Sequence, residues 1–413
     1  MSRPIVLLCM GTRPEIIKMA PVYHALTESP LRPVVVHTGQ HDEIAWPLYR
    51  FFGMAPEHVL TLARERPSLG HLNAQLLDAV DQLLGETPSS AVLVHGDTSS
   101  AQSAALAAFY AGVPVGHVEA GLRSGDATDP FPEEMNRTVI AQLARWHYAP
   151  TQRAVGNLLR EGVPGEGITL VGNTIVDAVQ HGLGVLGQGT FVPTGLPREA
   201  GPWARSGRLA VVTMHRRENW GAPIEAVARA VGLAVAETPD LHVLWPVHPN
   251  PAVRASVEAG LARAGLDPSA SPRVRLVAPL DYPAMLWALR RAWLVLTDSG
   301  GIQEEAAALD RPVLVLRKTT ERPELIEAGG GALVGAHGPD VTRWLRMLTS
   351  NADAYAALRC EVNPYGDGLA GERIAAALTA SLAPADAIRQ SLPTLPLHRP
   401  AELSVPASIA FAA

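Results

Sequence analysis

The chain has 413 residues, of which 47% are hydrophobic and 18% charged, with a formal net charge of −6. That length exceeds one ordinary hydrophobic core, so two domains are expected; the composition excludes wholesale disorder, and the acidic balance argues against a general nucleic-acid binder. Cys9 and Cys360 sit in no CxxC or Cys/His spacing, so neither a disulfide framework nor a structural zinc site is expected, and a reducing, cytoplasmic compartment is.

The N-terminus, MSRPIVLLCMGTRPE, holds an apolar run too short for a signal peptide or a spanning helix, and reads as a first buried strand. Unbroken Val-rich runs follow at 5–10, 33–37, 91–95 and 113–118. Such runs fit parallel strands covered on both faces. Between them, Pro14–Glu28, Leu69–Leu84 and Ser99–Ala111 carry apolar residues at helical spacing, and Pro14 suits a first helical turn. A stretch loaded with Gly and Pro, 182–207, separates this series from a second one. The second set of strands is expected at 208–214, 241–247, 273–277, 293–297 and 312–316. The fold class expected is therefore α/β, with two Rossmann-like domains whose parallel sheets face a central cleft. The boundaries are 1–180 for the first domain, 181–207 for the linker and 208–365 for the second domain. A C-terminal helix over about 366–381 follows the turn cluster NPYGDG, and the proline-rich 383–413 reads as a flexible tail without a catalytic role.

Several loops end strands on the cleft side and carry charge. MGTRPEIIK (10–18) places Arg13 just before a helix, and HGDT (95–98) places Asp97 at the start of the next, where its plain reading is an N-cap. HVEAGLRSGDATDPFPEEMNR (117–137) crowds Glu119, Asp126, Asp129, Glu133 and Glu134 against two arginines, with Glu119 and Arg123 expected on the same rim. Crowded carboxylates repel one another, and a solvated loop is the plain explanation. In the second series, VTMHRREN ends with His215, and TTERPE adds Arg322 after a strand. TDSGGIQEEAAAL (297–309) passes from strand to Ser299, Gly300 and Gly301 and at once into a helix. Free N–H groups and the helix dipole make that turn an anion site. Cations from both domains thus converge on one cleft, and a diphosphate is the natural guest. Carboxylates facing a bound phosphate ester suggest proton transfer on the group attached to it. GLGVLG (182–187) matches a dinucleotide fingerprint, but no strand precedes it and no helix follows, so it is assigned to the linker. His37 and His41 are four apart at a strand end, which does not make one metal-binding face.

In order along residues 4–380, GTRPE, TGQH, HGDT, HVEAGLRS, PFPEEMNR, HRREN, SGGIQEE, RKTTERPE and NPYGDG together resemble the non-hydrolysing UDP-N-acetylglucosamine 2-epimerases. The resemblance implies a GT-B fold whose last helix crosses back onto the first domain. It also implies reversible interconversion of UDP-GlcNAc and UDP-ManNAc, supplying precursors for surface polysaccharide. Asp97, Glu119, Glu133 and His215 match the catalytic positions. Arg13 and Lys18 would lie near the phosphates and sugar, Ser299, Gly300 and Gly301 would hold the diphosphate, Glu305 the ribose hydroxyls, and Arg322 the nucleotide-side charge. Gln40 and His41 match a pair that contributes to an allosteric UDP-GlcNAc site, and Pro67, where glutamine is common, argues for weakened activation. Met214 stands where a small residue is usual, which crowds the cleft floor. A homodimer is implied, with no metal, no cofactor, no nucleic acid and no membrane among the partners.

The chemistry agrees with the residues. The C2 proton is not next to a carbonyl, and the sequence has no credible NAD motif for transient oxidation. Elimination of UDP to an enzyme-held 2-acetamidoglucal, followed by re-addition, needs carboxylates for the two faces of C2 and cations for departing UDP. Asp97, Glu119 and Glu133 supply the first, His215 and the arginines the second. A GT-B glycosyltransferase would share the nucleotide half, a hydrolysing relative would change only the last step, and a non-catalytic nucleotide-sugar sensor would bind without turnover.

Overall fold

A computed structural model describes residues 3–63, 65–189 and 191–382; the expected tail, 383–413, lies outside them. Two parallel sheets are each flanked by helices, as a GT-B-like pair of Rossmann-type layers. The first holds β1 (Ile5–Met10), β2 (Arg32–His37), β3 (His58–Val59), β4 (Ala91–His95), β5 (Val115–Val118), β6 (Trp146–Ala149) and β7 (Ile168–Leu170), in the order β3-β2-β1-β4-β5-β6-β7. The second holds β8 (Arg208–Thr213), β9 (Leu241–Pro246), β10 (Val274–Val277), β11 (Leu294–Thr297), β12 (Val313–Val315) and β13 (Gly331–Leu333), in the order β10-β9-β8-β11-β12-β13. Val, Leu and Ile dominate β1, β4, β8 and β11, and their side chains are buried on both faces. This is why these strands read as unbroken apolar runs.

Strand order reverses between β1 and β4 in one sheet and between β8 and β11 in the other. Loops leaving neighbouring strands in opposite directions open a crevice at such a point. Residues 11–18 and 95–98 leave one crevice, and residues 214–216 and 298–305 leave the other. Four of the loops singled out above therefore leave the sheets at these two points, and the loops carrying Glu119 and Arg322 leave the neighbouring strands β5 and β12.

The Gly/Pro-rich stretch is more ordered than expected. GLGVLG closes the helix Thr174–Gly187, and Ala200–Ser206 is a further helix. Gly182 has a packing reason: a Cβ there would lie 2.7 Å from Leu286 Cδ2 and 3.2 Å from Phe51 Cε1. The missing side chain lets the last turns of the first layer press on the helix Tyr282–Arg291 of the second, beside the contact of the Phe51 and Tyr282 rings. Among the described residues, no helix is long and apolar enough to cross a membrane.

The C-terminal helix, Ala370–Leu382, returns to the first layer and packs on the helices Arg13–Thr27 and Thr174–Gly187. The Gly371 N–H donates to Asp177 Oδ1 at 2.8 Å, and the Asn173 N–H donates to the Tyr365 carbonyl at 2.7 Å. A Cβ on Gly371 would sit 2.8 Å from the Pro21 carbonyl oxygen, a backbone atom with no room to retreat. Gly371→Ala should therefore push this helix off its seat and weaken the Asp177 bond, a loss of about 2 kcal/mol. A lowered thermal unfolding midpoint checks this; an unchanged one would show that the two helices slide apart freely.

Candidate functional site

A cavity of about 710 Å³ lies between the two sheets and takes its walls from both. Arg13, Lys18, Asp97, Glu119, Glu133, His215, Ser299, Gly300, Gly301, Glu305 and Arg322 all line it. Gln40 and His41 do not. Gln40 Oε1 instead accepts from the Ser100 N–H at 3.1 Å and the Ser100 hydroxyl at 2.7 Å, and the His41 N–H donates to the Gly11 carbonyl at 2.9 Å. These bonds tie the pair to the segments that follow β1 and β4, and Pro67 is exposed.

Glu15, which sequence reasoning passed over, ties two first-sheet loops together. Its Oε2 accepts from the N–H groups of Gly11 at 2.8 Å and Thr12 at 2.7 Å, and its Oε1 accepts from the Thr98 hydroxyl at 2.5 Å. Burial raises its pKa against the pull of those bonds. Thr98, not Asp97, is the N-cap of the helix Ser99–Tyr110, accepting from the Ala101 N–H at 3.0 Å. Asp97 is thereby left to face the cavity. Arg137 binds its carboxylate, and Asn136 Nδ2 donates to its carbonyl at 2.8 Å.

Glu119 occupies the left-handed region at φ 63°. A residue with a Cβ pays for that conformation, and such strain gathers at sites where a side chain must be aimed. Gly121, at φ 88°, completes the turn; a Cβ there would lie 2.4 Å from the Ala154 carbonyl oxygen. Glu119 is bonded to Lys18 Nζ and lies 3.8 Å from His95 Nε2. Burial opposes its ionisation, but Lys18, His95 and Arg322 outweigh burial and hold the carboxyl well below the usual range. Lys18 is balanced in the same way: burial disfavours its charge, and Glu119 and Glu304 restore it, so its pKa is raised.

The other acids of 117–137 divide by surroundings. Glu133 opens the helix Glu133–Leu143 at the cavity wall. Glu134 is structural: it accepts from the N–H groups of Ser124 and Gly125 at 3.0 Å and pairs with Arg137 at 3.1 Å. Asp126 is exposed and closes a local turn with Thr128 at 2.8 Å. Arg123, expected on the rim, does not line the cavity and pairs instead with Glu161 at 2.6 Å.

On the second sheet, Asp298 follows β11 and organises the opposite wall. Its carboxylate accepts from the N–H groups of His215 and Arg216 at 3.1 Å and from Asn219 Nδ2 at 2.9 Å, and it lies 3.1 Å from His215 Nδ1. Burial raises its pKa, but these donors prevail and lower it. The His215 ring, with 51% of its side chain exposed, is held at one nitrogen and open to the cavity at the other. Met214 is buried and forms part of the cavity lining, as expected of a crowded floor. Ser299 caps the helix Gly300–Ala308 with a long bond of 3.5 Å to the Ile302 N–H. Gly300 and Gly301, the first residues of that helix, line the cavity, and a helix N-terminus favours an anion. Burial pushes the Glu305 carboxyl up to about 7, with Arg13 pulling it down and Glu304 adding to the rise. Glu304 was also missed; it lies between Lys18 and Arg322. No cluster of three His, Cys, Asp or Glu side chains suited to a metal occurs among the described residues.

The comparisons point the same way. The family profile described as UDP-N-acetylglucosamine 2-epimerase matches residues 24–379. A probable UDP-N-acetylglucosamine 2-epimerase of Ralstonia nicotianae is 41% identical over 384 residues, covering 92% of this chain and 99% of that one. The crystal structure of the Neisseria meningitidis UDP-GlcNAc 2-epimerase bound to UDP-GlcNAc superposes with a TM-score of 0.80 at 34% identity, covering 91% of this chain and all of that one. The S. aureus MnaA–UDP co-structure gives 0.80 at 36% identity, covering 92% and 97%.

Asp298 accepts bonds that no neighbour can replace. Asp298→Ala should destabilise the loop carrying His215 by about 3 kcal/mol, the cost of leaving several buried donors unpaired. The thermal midpoint of the variant reads this directly, and a midpoint equal to that of the parent would refute the bracing role.

Proposed function

The chain belongs to the UDP-N-acetylglucosamine 2-epimerase family, and from that premise we propose how its own residues carry out the reaction. It is an isomerase that interconverts UDP-GlcNAc and UDP-ManNAc at C2. One observation supports the assignment of roles above others. Asp97, Glu119 and Glu133 from the first sheet share a single cavity with His215, Arg322 and the helix N-terminus at Gly300 from the second.

We assign Ser299, Gly300 and Gly301 to the diphosphate, with Arg13, Lys18 and Arg322 as its counter-charges and Glu305 toward the ribose hydroxyls. A carboxylate takes the C2 proton while the C1–O bond breaks, its electron pair leaving on the β-phosphate oxygen of UDP as the C1–C2 double bond forms. UDP then re-adds to C1 as a proton is delivered to the opposite face of C2. Glu119 enters the reaction ionised, because Lys18 and Arg322 hold it so, and serves as one proton-transfer group; Asp97 and Glu133 serve the other face. The cations and the His215 ring stabilise charge on departing UDP, in a cavity where such interactions are stronger than in water. We further propose residues 1–180, completed by the helix at 366–381, as the N-terminal domain, 181–207 as the connection and 208–365 as the UDP-binding domain. The enzyme would work in the cytoplasm as a homodimer, feeding surface-polysaccharide synthesis. Phe109 and Tyr110, both exposed, offer apolar surface for such pairing.

Proton NMR with UDP-GlcNAc in D2O tests the reaction. UDP-ManNAc carrying deuterium at C2 is expected; an unchanged spectrum despite UDP binding would return the carboxylates to a structural role, and free ManNAc would change the last step. A second expectation concerns pH. Ribose hydroxyls donate to an ionised Glu305, so below pH 7 binding must expel the proton that this carboxyl carries when its pKa is about 7. UDP-GlcNAc affinity should therefore fall by about tenfold per pH unit below 7 and level off above it. Glu305→Gln should flatten that slope in a calorimetric titration series.

A further inference from the structure

We propose that Glu304 is a positioning residue that latches the two sheets closed over the unlinked reaction intermediate, an inference that rests on the epimerase reading. Glu304 lies on the second-sheet helix Gly300–Ala308, and its side chain is 1% exposed. Its Oε2 is 2.8 Å from Lys18 Nζ, across the cleft, and its Oε1 accepts from Arg322 Nε on its own side. Lys18 in turn is bonded to Glu119. The four groups thus alternate in sign, Glu119, Lys18, Glu304, Arg322, with two drawn from each half.

This order has a physical consequence. A charge left unpaired in a buried site is severely destabilising, so a latch built from lone charges would resist opening. Here each half keeps a paired cation and carboxylate when the halves part: Lys18 with Glu119, and Arg322 with Glu304. Within this chain of four, opening breaks only the Lys18–Glu304 pair, while the more exposed pair of Arg153 with Glu327 parts at the rim. Closing restores the Lys18–Glu304 pair away from water, where the attraction is strongest. Glu305, its neighbour in sequence, feels the charges of Arg13, Glu304 and Lys18 but is not a member of any of these close ion pairs.

The reaction needs such a device. After elimination, UDP and 2-acetamidoglucal share the cavity with no bond between them, and re-addition must occur before either escapes. Lys18 and Arg322 line the cavity that would hold the departing diphosphate, and Glu304, in the same wall, pairs with both. The carboxylate therefore joins the state of the leaving group to the closure of the cleft. Its side chain need not touch the reacting carbon.

The test measures how the intermediate partitions. In parent enzyme, Glu304→Gln and Glu304→Asp, the ratio of released 2-acetamidoglucal to UDP-ManNAc is followed by NMR during turnover of UDP-GlcNAc. Glutamine removes the charge that holds Lys18, so the ratio should rise by about tenfold or more, the scale expected when one partner of a buried ion pair is lost. Aspartate keeps the charge but is too short to reach both Lys18 and Arg322, so its ratio should fall between the other two. Should the glutamine variant fail to fold, a raised ratio in the aspartate variant carries the proposal alone. A ratio equal to the parent's in the folded variants, whatever their kcat, overturns the latch and leaves the epimerase reading standing. Absence of UDP-ManNAc from the parent enzyme overturns both.

Discussion

Lys18 sits at the point on which the rest of the site depends. An ammonium withdrawn from water is expensive, and it is tolerated here because Glu119 and Glu304 flank it from opposite sheets. That requirement fixes more than one side chain. It demands that the helix after β1 begin close to its strand, which the Glu15 bonds to Gly11 and Thr12 secure. It demands that Glu119 be aimed inward, which the left-handed backbone at that residue achieves. It also demands that the second sheet approach within ion-pair distance, which the packing of Gly182 against Leu286 permits.

The repeated strands and helices were legible because parallel strands buried on both faces leave an unmistakable run of apolar residues. β6, β7 and β13 escaped notice for the opposite reason. They are edge or near-edge strands of three or four residues, and His147, Thr169 and Gly331 within them interrupt any run. The Gly/Pro-rich connection was read too loosely, because glycine at 182 signals close packing as readily as a loop. In the site, charge at strand ends pointed to Arg13, Asp97, Glu119, His215 and Arg322, all of which line the cavity, whereas Lys18 and Glu305 came only with the family resemblance. The sequence could not say which acid pairs with which base. Asp298 and Glu15 do their work through side chains 79 or more residues away and through backbone N–H groups, and Glu304 joins Arg322, 18 residues on, to Lys18 at the other end of the chain; no local spacing encodes that.

The crowding of carboxylates over 117–137 has an ordinary electrostatic resolution. The five do not share one environment. Glu119 is paired with a lysine, Glu134 with Arg137 and two N–H groups, and Asp126 and Asp129 stay exposed at one turn. Glu133 alone opens a helix at the cavity wall, where the helix N-terminus favours its charge. Separation by partner lets acids of similar intrinsic strength take different parts in one reaction.

The return of the helix Ala370–Leu382 to the first layer bears on how the protein is made. Domains emerging from the ribosome in order can generally fold in order. Here the layer begun by the first strand lacks its closing helix until residue 382 has been synthesised. The surface formed by Pro21, Asp177 and Gln180 must stay uncovered while the whole second sheet is being made. The two halves are thus bound to a common maturation, in which the earlier-born sheet waits for the later one. A polypeptide released early, with its second sheet complete, would still carry an unsealed first half.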